Sequence, residues 1–242
     1  MKTLKTLGKA TAAITLLGAS INASAITVGF EGLAYQTAIT SVGYGPGTDT
    51  LTISNVMKKN GGYSEAWVYD TTSVGADPDL TGPFASTTGG GSLSPGNVLI
   101  VQENFGPNSA PDDNGSGGSM KFEFASDVFL KTIDVLDVKL GAVTFKLYSS
   151  VDSLIGTYLN LTNADTHGPT GNKYETVEFN AANVAWMTVA LSDSGALDNF
   201  TFDVQGGGTT DISNVPLPGA VWLFGTALLG FVGARARRAR QV

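Results

Sequence analysis

Thr50-Leu-Thr-Ile-Ser-Asn-Val56 alternates polar and apolar residues, and so do Ser119 to Phe124, Ala142 to Tyr148 and Thr176 to Phe179. Successive side chains of a strand point to opposite faces, so this period predicts strands with one face on a core and one in water. Asn97-Val-Leu-Ile-Val-Gln102 is continuously apolar over a strand's length and predicts a central strand covered on both faces. Trp186 to Leu191 and Asn199 to Val204 complete the set, and clusters of Gly, Pro, Asn, Asp and Ser separate the runs. The glycine-rich segments Thr87 to Gly96 and Phe105 to Ser119 have no period that could cover a core and read as surface loops. Many short strands without helical periodicity predict an all-β domain, a two-sheet β-sandwich of jelly-roll type, with a closed barrel as the structural alternative.

The two ends have a different pattern. Lys2, Lys5 and Lys9 precede an apolar stretch from Ala10 to Ala19 and the small-residue site Ala23-Ser24-Ala25. This is the layout of a secretory signal peptide, residues 1–25, with the mature chain starting at Ile26. At the other end, Gly219 to Ala234 contains no charged residue, and Arg235, Arg237, Arg238 and Arg240 follow it. The apolar run approaches the ~20 residues of a spanning helix, and the arginines would hold its end in the cytoplasm by the positive-inside rule. Small residues along it (Gly225, Ala227, Gly230, Gly233) suit a membrane helix. The expected organisation is a β-domain over residues 26–204, a glycine-rich tether over 205–214, and a membrane-directed tail over 215–242.

Charge sharpens this division. Of 14 basic residues, three lysines lie in the leader and four arginines in the tail, so seven lysines face all 21 acids between Ile26 and Asn214, a net charge of −14. Such a segment lacks the basic stripe that neutralises nucleic-acid phosphates, and nucleic acid is excluded as a partner. The chain has no cysteine, which removes disulfides, thiol catalysis and thiolate metal sites.

Val215-Pro-Leu-Pro218, the apolar run and the arginine cluster together resemble the PEP-CTERM family of bacterial sorting signals. Leu217 stands where the namesake motif has Glu, so the likeness is to the Val-Pro-Leu-Pro variant. The resemblance implies recognition of the tail by a membrane-embedded exosortase. It also implies export across the inner membrane, a single-pass intermediate with its N-terminal side outside, and delivery to the cell surface or exopolysaccharide matrix. Gly29-Phe-Glu-Gly32, Asp70-Thr-Thr, Ala76-Asp-Pro-Asp-Leu80, Asn97 to Val101, Pro111-Asp-Asp-Asn114 and Ser194 to Phe202 are similar to a recurring ectodomain of such proteins. That similarity implies a galactose-binding-like jelly roll with glycan contact.

Catalysis finds little support in the residues. His167, in Asp165-Thr-His-Gly-Pro169, is the only histidine and reads as a turn residue; with no cysteine, zinc lacks ligands. Paired carboxylates for glycoside hydrolysis are a weak signal among so many acids. Calcium, which takes six to eight oxygen ligands, is the more economical use of them. Glu31 and Asp198 would meet if the first and last strands pair, as the jelly-roll resemblance implies. Asp77 with Asp79, or Asp112 with Asp113 and Asn114, are further oxygen-rich loops. Tyr44, Tyr63, Trp67, Tyr69 and Tyr148 are candidates to stack on sugar rings, against core burial of Trp67 and Trp186. The expected function is an exported matrix protein with a structural or adhesive role and no catalysis of its own. A carbohydrate-binding module is the alternative, and a secreted hydrolase ranks third.

Overall fold

The computed structural model describes residues 25–45, 47–72, 80–87, 91–105, 109–138, 143–160, 167–168 and 171–205. They form strands almost throughout: β1 (Ile26–Val28), β2 (Ser41–Gly43), β3 (Thr50–Lys58), β4 (Ala66–Asp70), β5 (Phe84–Ser86), β6 (Ser92–Leu93) and β7 (Asn97–Val101) come first. Then follow β8 (Gly118–Leu136), β9 (Val143–Tyr148), β10 (Leu154–Asn160), β11 (His167–Gly168), β12 (Gly171–Leu191) and β13 (Ala196–Val204). They belong to one large sheet, antiparallel except for β5 on β12, whose main path runs β10-β9-β12-β8-β13-β7-β4. Among the described residues this path has two ends and does not close into a cylinder.

Two long strands organise the sheet. The first part of β8 pairs with β3 and with Trp186 to Leu191 of β12, and its second part pairs with β13 and with Tyr174 to Val184 of β12. The register shifts three times in β12 between Glu178 and Trp186, and Asn180 and Asn183 have φ of 48° and 58° there. Asparagine tolerates this left-handed backbone better than most residues, and bulges bend a strand and increase its twist. The sheet thereby folds onto itself. Phe122 and Phe200 are not ladder partners, yet their ring centroids lie 4.8 Å apart, and those of Phe124 and Phe202 lie 5.0 Å apart. The inward side chains Leu51, Ile53, Phe122, Phe145, Met187 and Val189 of one half share a core with Val28, Phe30, Leu130, Phe200 and Phe202 of the other. This layering is that of a β-sandwich-like all-β fold.

Strand β7 matches its continuously apolar sequence. Leu99 and Val101 enter the main core, while Val98 and Ile100 join Tyr69, Leu80, Phe84, Leu136 and Ala196 in a second cluster on the opposite face. In β13 the same switch of face occurs within one strand. Ala196 lies in the second cluster, and Leu197, Phe200 and Phe202 in the first. A strand of strict period two cannot place both 197 and 200 on one face; the bulge after Asp198, with Asn199 at φ 52°, supplies the missing step. Strand β1 caps this end by pairing with β13 as Ile26↔Phe202, Thr27↔Thr201 and Val28↔Phe200.

Candidate functional site

The bulge in β13 leaves Asp198 almost wholly buried, 2% exposed, where β1, β8 and β13 meet. Its ladder partner is Asp134 on β8, and the backbone of Gly29, just past β1, passes so near that a Cβ there would lie 3.3 Å from Asp198 Oδ1. Asp134 is fully engaged: its Oδ1 accepts from Thr176 Oγ1 at 2.5 Å and its Oδ2 from Asn199 Nδ2 at 2.9 Å. Asp198 accepts from the Asn199 backbone N–H, but its Oδ1 has no hydrogen-bond partner. Burial raises its pKa to about 7, against the lowering effect of that N–H, and the negative charges of Asp134 and Glu31 push in the same direction as burial.

Glu31 arrives from a turn and not from the opening strand, since β1 ends at Val28. Asn97, the first residue of β7, holds this turn: its side-chain amide donates to the carbonyls of Phe30 (3.3 Å) and Leu33 (2.9 Å). Its backbone N–H donates to Glu31 Oε1 at 3.1 Å. Gly96 makes room for the carboxylate. Its φ of 76° is left-handed, and a Cβ on it would come within 2.5 Å of Glu31 Oε1. The pairing of first and last strands thus brings Glu31 into the electrostatic reach of Asp198, as the sequence reading required of a shared site.

A buried carboxylate with an open oxygen has two ways to avoid a bare charge, a proton or a cation. Calcium bound here would be held by Asp198 Oδ1 and Glu31. Among the described residues, however, no group of three or more His, Cys, Asp or Glu side chains is placed to hold a metal ion. Glu31 and Asp198 would supply two acidic ligands of the six to eight oxygens that calcium takes.

The second oxygen-rich loop serves the fold. Asp113 Oδ2 accepts from the Gly195 N–H, Asn114 Nδ2 donates to the Gly117 carbonyl, and both residues are buried. Gln102 organises the approach, donating to the carbonyls of Asn104 and Ala110 and accepting from the Asp112 N–H. Sequence reasoning did not single out Gln102, and an amide at the end of an apolar run gave no signal beyond its position. Asp77 and Asp79 lie outside the described residues.

The aromatic candidates divide. Tyr44 and Tyr69 are buried, while Trp67 is half-buried, with its Nε1 donating to Glu65 Oε2 at 2.9 Å. Trp186 is half-buried too, so neither tryptophan is the fully buried core residue of the sequence reading. Tyr148 stacks on Trp186 with centroids 3.8 Å apart and planes 7° from parallel, and Lys121 Nζ sits 4.6 Å from the Trp186 ring centroid. With Tyr148 stacked against Trp186, that ring pair is already engaged within the sheet. Tyr63 is 69% exposed and lies against Phe105 at 6.3 Å.

No protein-family model matches the chain, and no curated protein matches it.

His167 belongs to β11, in register with Asn172 of β12, rather than to the turn itself. The leader up to Ser24, the sorting motif Val215 to Pro218, the apolar run and Arg235, Arg237, Arg238 and Arg240 lie outside the described residues. Among the described residues no helix is long and apolar enough to cross a membrane.

Proposed function

We propose that this chain is an exported cell-surface or extracellular-matrix protein, sorted by an exosortase-type enzyme through its Val-Pro-Leu-Pro tail, with a structural or adhesive role in an exopolysaccharide matrix and no catalysis of its own. The observation that carries the reading is the span of the folded unit. Strand β1 opens at Ile26, the residue after the expected leader cleavage, and β13 closes at Val204, immediately before the glycine-rich tether. The two strands pair with each other, and every strand among the described residues lies within the part that would remain outside the cell. A jelly-roll connectivity of galactose-binding-like type is the finer fold we assign to it.

Prolines disfavour helix, and extended backbone is what a protease-like active site can grip, because a helix has spent its hydrogen bonds internally. The arginines resist translocation, so export halts with the motif at the outer surface of the inner membrane. The test is a double substitution in the host. Pro216→Ala with Pro218→Ala should leave export intact and trap the protein, tail attached, in the inner membrane. Normal release of this variant would remove the motif from the account.

The alternative, a carbohydrate-binding module, is favoured by one surface of the sheet, and it coexists with sorting.

A further inference from the structure

The outward face of β3, β8, β12, β9 and β10 carries an unusual row. Register partners across these five strands are Ser54, Lys121, Thr188, Lys146 and Thr157, so hydroxyl and ammonium groups alternate along it. Their neighbours in sequence, Ile53, Phe122, Val189 and Phe145 among them, point into the core, which fixes this row on the solvent side. The row before it holds Thr52, Glu123, Trp186, Tyr148 and Leu154, and the row after it Met57, Ser119, Ala190, Thr144 and Leu159. Between the lysine row and the row after it lies a cleft of about 350 Å³ lined by Met57, Ser119, Lys121, Thr144, Lys146 and Thr188.

A polar outer face is ordinary for an antiparallel sheet. Two of this acidic segment's seven lysines aligned in one row, with a single hydroxyl between them, are less so. At the margin of the three rows Asp152, just before β10, accepts from Trp186 Nε1 at 3.0 Å. The carboxylate within the rows is Glu123, which pairs with Lys121 at 2.9 Å. That contact, together with the Trp186 ring, fixes the Lys121 ammonium before any ligand arrives. Lys146 is exposed, and no carboxylate among the described residues forms an ion pair with it.

We propose that this row binds a linear acidic polysaccharide, with sugar carboxylates held by Lys121 and Lys146 and hydroxyls by Ser54, Thr188 and Thr157. Strands stand about 4.8 Å apart, so the two lysines are separated by about 10 Å at the backbone and the row runs about 19 Å from β3 to β10. Two well-separated ammonium groups in a long open row match a polymer whose charges are sparse. A nucleic acid, with a charge every ~1.7 Å along a duplex, would meet an acidic protein with too few counter-charges. This proposal deepens the matrix reading above by naming the matrix component, and rests on it for the biological setting.

The experiment is a titration of the full-length protein in detergent, with chelator present so that calcium cannot bridge carboxylates, against polygalacturonate and against neutral dextran. Saturable binding to polygalacturonate alone is expected, weakening as salt rises from about 20 to about 500 mM. Lys146→Glu, at an exposed position, should weaken binding roughly tenfold or more. Lys146→Arg should retain it, and so should Lys173→Glu, which makes the same charge change away from the face. Absence of binding at low salt, equal binding to dextran, unchanged binding by Lys146→Glu, or an equal loss with Lys173→Glu would each overturn the site. Any of these failures leaves the sorting reading standing, because the fate of the Pro216/Pro218 variant is measured independently of glycan.

Discussion

Ile26 and Phe202 are register partners across β1 and β13, so the first strand of the fold is held on the last. Val28 packs in the same core as Phe200 and Phe202, both fully buried. Cleavage of the proposed leader after Ala25 would leave β1 whole. N-terminal sequencing of the exported protein should return Ile26 as the first residue. Deleting residues 26–28 should lower the melting temperature by several degrees, through loss of Val28 burial worth about 1.5–3 kcal/mol and of the strand's ladder.

Asp198 makes stability depend on pH. Its folded pKa, about 7, lies above the ordinary value of 3.8, so between these values the native state binds more protons than the unfolded state. Stability then falls as pH rises through that window and levels off above it. The full effect is roughly 4 kcal/mol at about 1.4 kcal/mol per pH unit. Asp198→Asn should flatten the melting temperature between about pH 4 and 7 and raise it at pH 8. An unaltered pH profile in the variant would remove Asp198 as its source.

Above pH 7, where Asp198 is ionised, calcium competes with no proton. If Glu31 and Asp198 hold it, millimolar calcium should raise the melting temperature at pH 8 by mass action, and Asp198→Asn should abolish the increase. An equal response in both proteins would place calcium elsewhere.

Gly96→Ala tests the packing under Glu31. The new methyl would overlap the carboxylate and sit at a φ of 76°, and both effects destabilise, by about 1–3 kcal/mol together. Thermal melting should show it. Because the variant displaces Glu31 from the Asn97 N–H, it should also shrink any calcium response.

Much of the fold was legible where period two is clean. Strands β3, β7, β9 and β13 fall on the alternating or continuous runs that predict them, because each faces a core on one or both sides. The extent of β8 and β12 was not legible: Thr176 to Phe179 and Trp186 to Leu191 read as two separate runs, yet one ladder passes through the residues between them by bulges at residues with left-handed backbone. The location of Glu31 and Asp198 near each other followed from the expected pairing of the first and last strands. The burial of Asp198 did not, because it depends on the single-residue bulge at Asn199 that reverses the facing of β13. The lysine row escaped sequence reading for a similar reason. Lys121 and Lys146 are distant in sequence, and only the register through Thr188 brings them into line.

The central claim is that the tail is a sorting signal and not a lasting anchor, and mass spectrometry of the C-terminus of the mature protein recovered from the cell surface tests it most directly. The account predicts a chain that starts at Ile26 and ends near Val215 to Pro218, without Arg235 to Arg240. A mature protein that retains Arg240 and fractionates with the inner membrane would contradict it.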